Sequence, residues 1–124
     1  MTYRRCVSAL PRRLLRLEGL ATAGGALALY LHFGYGWVLL VVLLLAPDLS
    51  LIGYTRGARV GALAYDLAHT DVWAVGLAVA GAIGGEPRLT QVGLIWLVHI
   101  GGDRLLGYGL KYPTVFKDTH LQRV

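Results

Sequence analysis

Six acidic residues and histidines interrupt stretches that are otherwise apolar: Glu18, Asp48, Asp66, His69, His99 and Asp103. Charged groups are costly in such surroundings and are read first as functional candidates. Asp66-x-x-His69 and His99-x-x-x-Asp103 each place a carboxylate and an imidazole on one helical face. With Glu18 and Asp48 as single carboxylates from two other helices, the set follows the layout of di-iron and di-manganese bundles. The match is loose. Asp stands where those proteins carry Glu, and the second pair has reverse order and longer spacing.

The same residues support three chemistries. They could hold a divalent metal ion, pass protons or cations through a transporter or channel subunit, or form a polar clasp between helices in a small membrane scaffold protein. Arg104 and Arg16 could neutralise two of the carboxylates, and Tyr54, Tyr65 and Tyr108 could hydrogen-bond others. Asp71 lies about 200° round the helix from His69 and faces a neighbour or a different cavity. His120, in the tail after Pro113, could fold back as a further ligand or a general base, although an ordinary exposed histidine is the blander reading. There is no G-x-S-x-G elbow, phosphate-binding loop or H-E-x-x-H, so common hydrolase and nucleotide-binding readings have no anchor.

What positions these residues is a membrane fold. Of the 124 residues, 56% are hydrophobic and only 15% charged, too few to clothe a soluble domain in polar surface. The 17 glycines suit membrane helices. The expected fold is all-α, one domain of four transmembrane helices in an antiparallel bundle. The spans run roughly over residues 14–33, 36–54, 60–83 and 89–110, between a basic arm (1–13) and a tail (111–124). A short re-entrant hairpin is the alternative for the first pair. Two spans reach full length only by taking Glu18 and Asp48 into the membrane.

Arg4, Arg5, Arg12, Arg13 and Arg16, the Arg56/Arg59 turn, and Lys111, Lys117 and Arg123 are the basic segments. All fall on one side if both termini are cytoplasmic, as the positive-inside rule requires. The net charge of +5 therefore reads as contact with anionic lipid, with no nucleic-acid partner. The expected location is a bacterial inner membrane, multi-pass, and the relay reading calls for a homo-oligomer. A basic start before an apolar run also resembles a signal peptide, but Arg16 and Glu18 interrupt it. Depths from the cytoplasmic ends are about 6 Å for Glu18, about 9 Å for Asp48 and Asp66, and about 10–14 Å for His69 and Asp103, with His99 deeper. All four helices thus reach one layer.

The segments "RLLRLEGL", "LLLAPDLSLIGY", "AYDLAHT" and "HIGGDRLLGYGLKYPTVFKDTHL" together resemble the small bacterial membrane proteins of the DUF4260 family. The resemblance runs from about Arg12 to Leu121. It implies a multi-spanning membrane protein and supplies no activity. Its signature segments coincide with Glu18, Asp48, His69, His99, Asp103 and His120. The family pattern often reads Asn at the place of Asp66, which implies that an anion is not required there. A single-metal site of His69, His99 and Asp103 survives that loss, with Glu18 or Asp48 as further ligand or base.

Overall fold

The computed structural model describes residues 2–110, with side chains from Ala9 onward. The helices are α1 (Thr2–His32), α2 (Trp37–Leu43), a 3-10 helix (Ala46–Arg56), α3 (Ala58–Ala68), α4 (Asp71–Gly84) and α5 (Pro87–Leu106). There is no strand among the described residues. Three stretches are long and apolar enough to cross a membrane: Ala9–His32, Trp37–Arg56 and Ala58–Gly84. Their large apolar side chains, among them Leu31, Val42, Leu49, Ile52, Leu63 and Ile83, are exposed. An exposed apolar surface of this extent is consistent with a membrane protein.

The second and third stretches were expected as unbroken helices, and the structure divides each in two. Pro47 explains the first break. It lacks an N–H and crowds the preceding turn, so α2 stops short of it and a 3-10 helix begins with Pro47 in its first turn. A 3-10 run of eleven residues is unusually long and rises about 22 Å, against about 16 Å for the same residues in α form. The second break falls at His69–Thr70. His69 ends α3 with φ −109° and ψ 12°, and the extended Thr70 starts α4, whose first turn holds Asp71. A carboxylate there complements the positive end of the helix.

Helix α5 lies between α1 and α4 and is packed closely on both sides. Two glycines permit this approach. A methyl group at Gly101 would come 2.5 Å from the Ala23 nitrogen and 2.6 Å from the Gly19 oxygen of α1, and one at Gly93 would come 2.5 Å from the Ala78 nitrogen of α4. Small residues at helix contacts are the membrane solution, because lipid offers no hydrophobic drive between helices. Ala26 and Tyr30 of α1 complete the core with Leu94 and Ile95, and Leu39, Leu40 and Leu43 of α2 pack against it. The Tyr30 hydroxyl donates to the Gly36 carbonyl at 2.6 Å and closes the turn between α1 and α2. At the opposite end of α5, the Arg16 Nε donates to the Leu105 carbonyl at 2.8 Å.

The 3-10 helix and α3 pack mainly on each other, joined at Gly57, whose φ of 109° a side chain would strain. This hairpin meets the other helices at its base. Both of its base residues, Asp48 and His69, belong to the set picked out from sequence.

Candidate metal centre

The two chain breaks and the last two turns of α5 bring four side chains to one point. Asp48, His69, His99 and Asp103 each offer one ligand atom, and the four atoms lie within 4.8 Å of one another. His69 Nε2 is 3.1 Å from His99 Nε2, 3.5 Å from Asp48 Oδ1 and 3.4 Å from Asp103 Oδ2. His99 Nε2 is 3.3 Å from Asp48 Oδ1 and 3.2 Å from Asp103 Oδ2. A tetrahedral ion with bonds of about 2.0–2.2 Å separates its ligand atoms by about 3.3–3.6 Å. Five of the edges, at 3.1–3.5 Å, are therefore close to the size a zinc-like ion requires.

The orientation of the histidines supports the same use. His69 Nδ1 lies 2.8 Å from the Tyr65 carbonyl, which can only accept, so that nitrogen carries the proton. In the neutral ring the Nε2 lone pair then faces the cluster. A backbone carbonyl on the far ring nitrogen is the usual support of a metal-bound histidine. The Leu44 backbone, at the break after α2, is a hydrogen-bonding neighbour of His99. The His69 and His99 side chains are 3% and 5% exposed, against 41% for Asp48 and 21% for Asp103. The centre thus has an imidazole floor and an open carboxylate side.

A surrounding set of groups holds these ligands in place. The Tyr65 ring stacks on His69 with centroids 3.7 Å apart and 11° between planes, and its hydroxyl approaches Asp103 Oδ2 at 3.5 Å. The end of α3 leaves carbonyls without helical partners, and α5 supplies donors to them. Trp96 Nε1 donates to the Ala68 carbonyl, and Arg104 Nη2 reaches the His69 carbonyl at 3.4 Å. Two of the carbonyls at the break thereby find donors within the protein.

Of the six ligands named from sequence, the structure gathers Asp48, His69, His99 and Asp103 and leaves two apart. Glu18 lines a separate small pocket of about 80 Å³ with Thr22, Asp71 and Arg104. Asp66 is on α3, within electrostatic reach of Tyr54. The reason is local: α3 ends at Ala68, so His69 is its cap and does not share a full helical face with Asp66. The His99/Asp103 pair does keep its i,i+4 geometry inside α5. Tyr108 is exposed beyond α5, and His120 lies outside the described residues. Trp96 carries a positioning hydrogen bond. Its place three residues before His99, on the same side of α5, was the available signal.

An all-helical chain with membrane-length helices and a buried His–Asp cluster is the class that fold and site define. Within that class, the chain belongs to the DUF4260 family. The family's model, described as "Domain of unknown function (DUF4260)", matches residues 12–124. No curated protein and no solved structure matches it.

Proposed function

We propose that this protein binds one divalent metal ion of the zinc class through Asp48, His69, His99 and Asp103, and that the ion serves chemistry at the cytoplasmic side of a membrane. One observation carries the reading. Two imidazole nitrogens lie 3.1 Å from each other and 3.2–3.5 Å from two carboxylate oxygens, and the proton of His69 is held on the other side of its ring. Converging lone pairs repel unless a metal ion or a proton sits among them. Asp48 is the most exposed ligand and the one to yield a coordination position to water or substrate, where the ion would act as a Lewis acid.

The chain crosses the bilayer four times in this reading, through α1, α2 with the 3-10 helix, α3 with α4, and α5. Both termini and the Arg56/Arg59 turn face the cytoplasm, on the positive-inside rule. Counted from the turn at residues 84–87, His69, His99 and Asp103 lie about 18–24 Å along α4 and α5. That is the inner half of a hydrocarbon core about 30 Å thick.

The test is metal analysis of detergent-purified protein grown with zinc, manganese or iron. About one equivalent in wild type, lost in the His69→Ala/His99→Ala double variant, supports the proposal. Absence of metal under every supplement overturns it.

A second reading draws on the two broken helices, which meet at the cluster as they do at the ion sites of transporters. It makes the four residues a cation pathway, and its test is flux in proteoliposomes that disappears in Asp103→Asn.

A further inference from the structure

An apolar cavity of about 310 Å³ lies between the α2 break, the end of α3 and the middle of α5. Ligand sites for small molecules begin at about this size. Ala46 and Val92 are among its walls, and its one hydroxyl, that of Ser50, is already engaged with the Pro47 carbonyl at 2.8 Å. Three of its wall residues adjoin ligands of the His–Asp centre along the chain. Pro47 precedes Asp48, Ala68 precedes His69, and Trp96 stands one helical turn before His99.

We infer that this cavity receives the alkyl chain of a membrane amphiphile whose polar head reaches the His–Asp centre. The inference rests on the metal reading and names its substrate class. An apolar slot whose walls carry the chain neighbours of carboxylate and imidazole ligands matches a molecule that is apolar over most of its length and polar at one end. A soluble polar substrate would leave the slot empty, and a wholly apolar one would make no use of the cluster. Trp96 belongs to both halves: its ring borders the cavity, and its N–H holds the chain end that carries His69.

The experiment uses cobalt(II)-loaded full-length protein in detergent and two metal-binding probes, acetohydroxamate and decanohydroxamate, followed through the cobalt visible spectrum. Decanohydroxamate is expected to bind more tightly in wild type. Val92→Phe and Ala46→Leu, which fill the cavity away from the ligands, should weaken decanohydroxamate about tenfold or more, the worth of about two buried methylenes. The same variants should leave acetohydroxamate within about twofold. Equal losses for both probes, or no loss for the long one, overturn the inference while leaving the metal reading standing. If the protein takes up no cobalt, the metal reading fails. The cavity is then read by photolabelling with a diazirine-bearing decanol: labelling of the 43–50 segment that Val92→Phe abolishes supports the slot, and labelling that Val92→Phe leaves unchanged overturns it.

Discussion

Replacing Asp103 by Asn removes one negative charge while keeping size and shape. Asp103 Oδ2 lies 3.2 Å from His99 Nε2 and 3.4 Å from His69 Nε2, so it borders both imidazoles at once. Structural zinc sites bind with about 10–16 kcal/mol in total. Shared over four ligands, that is about 3 kcal/mol each, or a loss of about two orders of magnitude in affinity. Competition titration of the detergent-solubilised protein against a fluorescent zinc chelator measures this directly. Thermal unfolding with and without zinc separates the metal from a clasp, because a ligand that binds only the folded state raises the melting temperature as its concentration rises. Wild type should gain stability from zinc and Asp103→Asn should gain much less. Affinity within about threefold of wild type, against the roughly hundredfold loss expected for a ligand, would refute the assignment. A destabilised variant whose wild-type parent shows no response to zinc would replace the metal by a protonic clasp.

Four other outcomes follow from the same geometry. Zinc affinity should fall on acidification, because the metal needs neutral His69 and His99 and protons compete for the same nitrogens; a flat titration between pH 5 and 8 would count against imidazole ligation. Trp96→Phe leaves the Ala68 carbonyl without its donor, which costs about 1–3 kcal/mol of stability, and should loosen metal binding about tenfold without removing a ligand. Gly101→Leu should prevent folding or lower the melting temperature strongly, because its first side-chain atom collides with the α1 backbone, whereas Gly24→Ala, with open space around it, should be neutral. In a Cys6→Ala background, Gly34→Cys and Gly85→Cys should react with an impermeant maleimide from outside intact cells and Arg56→Cys should not; the opposite pattern reverses the topology.

Much of this protein follows from sequence because long apolar runs are a strong signal for helices of membrane length. Apolar runs of membrane length, glycine in quantity and arginines gathered in a few segments point to helices, and Gly57, Gly85 and Pro87 mark real turns. The His99-x-x-x-Asp103 pair was also readable, since it lies within one continuous helix whose periodicity fixes a shared face. Asp66-x-x-His69 applied the same rule across a helix end, and there the rule lapsed. Depth counting brought Glu18 to the right layer but not to the right side of α5. Translation along a helix is set by rise per residue, whereas rotation is set by the partner it packs on.

The sequence by itself determined an all-helical chain, apolar around its circumference, with a few ionisable residues concentrated near one depth. Only the tertiary structure decided which of them meet. Pro47 opens a 3-10 helix with Asp48 in its first turn, α3 ends at Ala68 with His69 as its cap, and Gly93 and Gly101 let α5 sit close enough to α4 and α1 to carry His99 and Asp103 to the same point. Those choices depend on contacts between residues far apart in the chain, and local periodicity holds no information about them.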